Sequence, residues 1–105
     1  MTAIKAKQIN ANKIQLTGAL NFDTVPALRQ QFSKWFPFMP DIIIDLAAVI
    51  YCDSSGVALL LECLRLAKAG QKKIIFINIP TQLLALAKAT AVAEILPIHD
   101  NNNTH

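Results

Sequence analysis

Apolar positions recur along this chain with two periods. Lys13-Ile14-Gln15-Leu16-Thr17 alternates polar and apolar residues, the period of a half-buried strand. The run Ile4 to Ile9 precedes it across Asn10-Ala11-Asn12, so the pair predicts a hairpin, with Gly18 ending the second strand. Val25, Leu28, Phe32, Trp35 and Phe36 then follow at helical spacing. Asp23-Thr24 offers that helix a cap, Pro26 falls in its first turn, and Pro37 and Pro40 stop it. Ile42 to Leu46 is apolar except for Asp45 and predicts a covered strand, with Asp45 tying down a loop at its end. After a short loop, the polar turn Asp53-Ser54-Ser55-Gly56 opens a very apolar helix from about Ser54 to Ala69. Gly70 and Gln71 close this helix, with Lys68 in its last turn where the dipole favours a cation. Ile74-Ile75-Phe76-Ile77 predicts another buried strand. Pro80 and Thr81 start a third helix with Leu83, Leu86, Ala87 and Thr90 on one stripe. Leu96-Pro97-Ile98 ends the packed part, and His99 to His105 predicts a loose polar tail.

The predicted order is β-β-α-β-α-β-α. A later β-α-β unit requires parallel pairing with a right-handed crossover, so the expected fold is an α/β domain with one mixed sheet and helices packed over it. The 105 residues suffice for one core, assigned to 1–98 with the tail at 99–105. A hydrophobic share of 53% against 16% charged residues excludes disorder for the body and leaves apolar surface for a partner. The net charge is +3, but the lysines form no run longer than a pair and no aromatics interleave with them, which argues against nucleic acid. No apolar run reaches the roughly 20 residues that span a bilayer, and no secretory leader is visible. Cys52 and Cys63 lie in apolar segments and read as small hydrophobes in a reducing compartment. The expected location is therefore the cytoplasm.

The Ser54–Ala69 helix carries the first functional expectation. Projected at about 100° per residue, Val57, Leu60, Leu61 and Leu64 form one face, assigned to the core. Leu59, Cys63 and Leu66 fall opposite, with Glu62 and Arg65 between. An outer face is ordinarily polar, so this stripe predicts a docking surface, with Leu84 extending it. The turn before it predicts a second part of that surface. Two hydroxyls at a helix N-terminus serve either as capping groups or as a phosphorylation switch.

Catalytic patterns are missing. The sequence holds no G-x-x-x-x-G-K, no G-x-G-x-x-G and no H-E-x-x-H. Both histidines fall in the predicted tail, so neither Ser54 nor Ser55 has an ordered base to activate it. The expectation is a binding module with no catalytic residue, cofactor or metal.

Ile43-Ile44-Asp45-Leu46 followed by Asp53-Ser54-Ser55-Gly56-Val57 resembles the signature of STAS domains, which include bacterial anti-sigma-factor antagonists. The resemblance covers roughly Ile4 to Pro97. A narrower likeness joins Thr17-Gly18-Ala19-Leu20, Asp23, Val25, Gly56 to Leu61, Leu66-Ala67-Lys68, Leu86-Ala87-Lys88 and Leu96-Pro97. Those segments look like the STAS subunits of Mla phospholipid-transport ABC complexes. The narrower resemblance implies a non-catalytic subunit that binds the transporter's ATPase, in a complex with a membrane permease. It would be peripheral to the inner membrane through that partner and would support outer-membrane lipid asymmetry. Ser54 then matches a position where such subunits often carry a threonine for the ATPase contact. In the antagonists the phosphorylated residue matches Ser55, which implies the alternative of a partner-switching regulator bound to an anti-sigma factor or kinase. The expected docking set is Asp53, Ser54, Ser55, Gly56, Leu59, Cys63 and Leu66. The same stripe would also serve a homodimer when no partner is present.

Overall fold

The computed structural model describes residues 3–99. Its elements run β1 (Ile4–Asn10), β2 (Lys13–Leu20), α1 (Val25–Trp35), β3 (Ile42–Cys52), α2 (Ser54–Ala69), β4 (Ile74–Ile77), α3 (Thr81–Ala89) and β5 (Ile98–His99). Single 3-10 turns at Phe36–Phe38 and Val92–Glu94 follow α1 and α3.

The sheet order is β1-β2-β3-β4-β5. β1 and β2 form the predicted antiparallel hairpin, with the Asn10 side chain accepting from the Asn12 N–H at 2.8 Å in its turn. β2 to β5 are parallel. Each crossover moves one strand onward in the same direction, and right-handed crossovers of that kind place every helix on the same face. The core reflects this. Ile14, Leu16, Ile42, Ile44, Ile74 and Phe76 alternate inward and join Leu28, Phe32, Leu60 and Leu83 in one buried cluster. Their neighbours Ile43, Ile75 and Ile77 are half-buried and lie outside that cluster.

Three elements differ from the expectation. Gly18 does not end β2, which continues to Leu20, and Gly18 sits within it at φ +118°. A side chain there would meet the Ala3 carbonyl oxygen at 2.0 Å. β3 runs through to Cys52 where a loop was expected after Leu46. Its ladder with β2 shifts register between Gln15 and Thr17 and again between Gly18 and Ala19, so Ala47 to Tyr51 lost the two-residue period that marks a strand. A fifth strand also appears, with Ile98 opposite Phe76 and His99 opposite Ile77. His99 therefore belongs to the sheet, and the rest of the expected tail, 100–105, lies outside the described residues.

Asp45 ties down a turn as expected, although from within β3. Its Oδ1 accepts from the Ala47 N–H and the Asn78 side-chain amide, each at 3.0 Å, and Lys13 Nζ stands 3.7 Å from Oδ2. Burial raises its pKa, but the Asn78 and Ala47 hydrogen bonds and the Lys13 charge outweigh this and hold the carboxyl below its ordinary value.

Candidate functional site

β2 and β3 end side by side, Leu20 opposite Cys52, and the Asp53 N–H donates to the Leu20 carbonyl at 3.1 Å. The turn into α2 is thereby held at the carboxyl ends of two parallel strands, where open α/β sheets place their sites. Asp53 is the N-cap. Its Oδ1 accepts from the Ser55 N–H at 2.8 Å and its carbonyl from the Gly56 N–H at 2.9 Å. Capping therefore belongs to Asp53, which leaves both hydroxyls for other uses.

The two serines differ. Ser54 is exposed. Ser55 is only 7% exposed, and its Oγ is buried with no hydrogen-bond partner among the described residues. Gly56 is buried, and a Cβ there would stand 3.0 Å from Leu83 Cδ1 and 3.6 Å from the Cβ atoms of Cys52 and Leu20. Its small size lets α2 approach the strand ends and α3 closely, so its part in the expected docking set is packing beneath the turn.

The predicted outer stripe of α2 is corrected. Leu59 is 0% exposed and Cys63 1%, and both lie in the core cluster. Leu66 is half-buried and packs against that cluster, and Leu84 is half-buried. Val57 and Leu60 are buried as expected, whereas Leu61 and Leu64 are only half-buried. The buried arc thus sits about a quarter-turn from the predicted one. Its centre is Gly56, Leu60, Cys63 and Ala67, three of them small. α2 packs against α1 and α3 as well as the sheet, so more than half of its circumference is covered. Apolar residues on almost every side left hydrophobicity unable to choose an orientation. The small residues marked the close contact. Burial also raises the Cys63 pKa far above its ordinary value, with the Glu62 charge adding to the effect, and burial raises that of Cys52.

The exposed side of α2 instead carries Ser54, Ala58, Arg65, Lys68 and Ala69. Beside it stands Phe22, 73% exposed, in the loop between β2 and α1. That loop is pinned by its own hydrogen bonds. Asn21 Oδ1 accepts from the N–H groups of Asp23 and Thr24 at 2.9 and 3.1 Å. Thr24 Oγ1 accepts from the Asn21 N–H at 2.9 Å and donates to the Ala19 carbonyl at 2.8 Å. Phe22 is therefore held outward on a fixed loop. Between this loop, α1 and α2 lies a cleft of about 400 Å³ lined by Phe22, Val25, Pro26, Arg29, Ser55, Ala58 and Glu62. Glu62 also makes a two-point ion pair with Arg65, whose hydrogen bonds and charge lower the Glu62 pKa. Phe22 and Arg29 were not anticipated. The signal for Phe22 was an aromatic between Asn21 and Asp23, outside any apolar period.

Among the described residues, no histidine is hydrogen-bonded to Ser54 or Ser55, and no group of three His, Cys, Asp or Glu residues could hold a metal. No helix of the described residues is long and apolar enough to cross a membrane.

The family model described as "Mlab, STAS domain" matches residues 5–97. The chain belongs to this MlaB-type STAS family. STAS domains of this family are generally non-catalytic. A solved structure with the same fold is that of the anti-sigma factor antagonist SpoIIAA in its unphosphorylated form, with a TM-score of 0.71 and 18% identity. The alignment covers 94% of this chain and 90% of SpoIIAA. At that identity the likeness concerns the fold alone. No curated protein matches the chain. The family and fold agree with the STAS resemblance read from Asp53-Ser54-Ser55-Gly56 and the strand before it.

Proposed function

We propose that this MlaB-type STAS domain is a non-catalytic subunit that docks onto the ATPase of an ABC phospholipid transporter through the Asp53–Gly56 turn and the neighbouring exposed surface. The observation that carries the reading is the pairing of an exposed hydroxyl, Ser54, with the outward-held Phe22 on two rigid elements at one end of the sheet. Solvent-exposed aromatics on fixed loops are suited to interfaces, because they contribute large contact area with little loss of rotamer freedom. Docking would favour the assembled form of the ATPase by binding it more tightly than the separated subunits. The complex would place the chain in the cytoplasm beside the inner membrane and support lipid asymmetry of the outer membrane.

The switch reading, an anti-sigma antagonist controlled by phosphorylation at Ser55, is less well supported. The Ser55 hydroxyl is buried, so a kinase would reach it only after the side chain had turned out of its buried position. A phosphate would also stand near the Asp53 carboxylate, whose Oδ1 already holds the Ser55 N–H.

Binding of Ser54→Ala and Ser54→Glu to the purified ATPase subunit tests the docking. Glutamate in the first turn suits the helix dipole, so both variants should fold normally. The expected result is a modest loss for alanine and a loss of tenfold or more for glutamate. Wild-type affinity in both would remove the turn from the interface. Capture of a serine kinase or anti-sigma factor from native extract, without an ABC ATPase, would favour the switch.

A further inference from the structure

The cleft between α1 and α2 contains two polar groups without hydrogen-bond partners among the described residues. Ser55 lines the cleft, and its buried Oγ has no hydrogen-bond partner among the described residues. A buried hydroxyl in that state is costly to leave unpaired and gains from an incoming acceptor. Arg29, exposed on α1, lines the same cleft and makes no hydrogen bond or ion pair among the described residues. Its charge helps lower the Glu62 pKa, but the hydrogen bonds to Glu62 come from Arg65, through Nε and Nη2. Arg65 and Glu62 cancel, so the cleft keeps one net positive charge from Arg29. The remaining wall, formed by Phe22, Val25, Pro26 and Ala58, is apolar.

We propose that this cleft receives a carboxylate side chain from the docking partner, with Arg29 pairing with the carboxylate, the Ser55 hydroxyl turning from its buried position to donate to it, and the apolar wall covering its aliphatic stem. Resting on the docking function proposed above, the assignment specifies what the partner must present. A carboxylate fits better than a phosphate. Arg29 supplies the cleft's one net positive charge and Asp53 caps the adjoining turn, so one incoming negative charge is balanced where a second would not be. A neutral side chain would leave the free guanidinium without a partner in an increasingly dry contact. Arg29 and Ser55 are thus specificity residues, and Ser54 belongs to the neighbouring rim.

The test measures binding of the purified ABC ATPase subunit to the full chain and its variants Arg29→Glu, Arg29→Lys, Ser55→Ala and Ser54→Glu, at low and high salt, with thermal melts of each variant. Arg29→Glu should weaken binding by about 30-fold or more and Arg29→Lys by less, since lysine keeps the charge and loses the planar fork. Ser55→Ala should weaken binding by roughly five- to tenfold while its melting temperature stays level or rises, because it deletes an unpaired buried hydroxyl. A merely structural serine would not separate the two readouts in that way. Wild-type affinity should fall with salt. Reversing the charge of one acidic residue on the ATPase should restore binding to Arg29→Glu. If Arg29→Glu and Ser55→Ala bind within twofold of wild type while Ser54→Glu fails, the carboxylate proposal is overturned and the docking function stands. If Ser55→Ala alone binds like wild type, the hydroxyl has no share. If Ser54→Glu also binds like wild type, or the wild-type chain does not bind, both readings fall.

Discussion

Leu59 decides whether α2 is oriented as described. It is fully buried in the core cluster, on the arc shared with Cys63. Truncation to alanine removes a buried side chain and leaves a cavity, costing about 2–5 kcal/mol. Aspartate adds the cost of a carboxyl group in an apolar site. Such a group keeps its proton, and holding it neutral at pH 7 against an ordinary pKa near 3.9 costs about 4 kcal/mol. The total, about 6–9 kcal/mol, is comparable with the entire stability expected of a domain this size, about 5–15 kcal/mol. Leu59→Asp should therefore be largely unfolded, whereas Leu66→Asp, at a half-buried position, should remain folded with a loss of about 1 kcal/mol. Urea unfolding followed by circular dichroism and by fluorescence of Trp35, the single tryptophan, measures both. For Leu59→Ala, a loss of about 3 kcal/mol lowers the midpoint by about 2 M at a slope of ~1.5 kcal/mol/M. A cooperative Leu59→Asp transition within about 0.5 M of wild type would place Leu59 at the surface and refute the orientation.

Three further outcomes are expected. Asp53→Ala removes the acceptor for the Ser55 N–H and should cost about 1 kcal/mol by urea unfolding, with Asp53→Asn recovering most of it. Gly18→Ala places a Cβ at 2.0 Å from the Ala3 carbonyl oxygen on a backbone with φ +118°; it should cost about 2–4 kcal/mol and speed hydrogen exchange in β1, and an unchanged melt would refute the clash. Asp45 has a lowered pKa in the folded chain, so its contribution is present above the unfolded value and is lost as pH falls through the folded one. Wild type should lose its stability advantage over Asp45→Asn on acidification below about pH 4, and parallel pH–stability curves would contradict this.

Much of this protein was written locally. The hairpin around Asn10-Ala11-Asn12, the proline-bounded α1, the bounds of α2 from Ser54 to Ala69 and the strand at Ile74 follow from period, caps and breakers, which act over a few neighbouring residues. The Asp53-Ser54-Ser55-Gly56 turn was legible for the same reason. Tertiary structure decided the rest. The bulged end of β3 forms a strand because β2 runs beside it, and Ile98-His99 becomes one only against β4. Leu59 and Cys63 are core because α1, α3 and the sheet together enclose α2, and a helix apolar on nearly every side does not encode which side is outward. Ser54 and Ser55 are chemically identical neighbours. Packing between α1 and α2 leaves Ser54 exposed and buries the Ser55 hydroxyl at a cleft that Arg29 also lines, a distinction that exists only once elements distant along the chain have met.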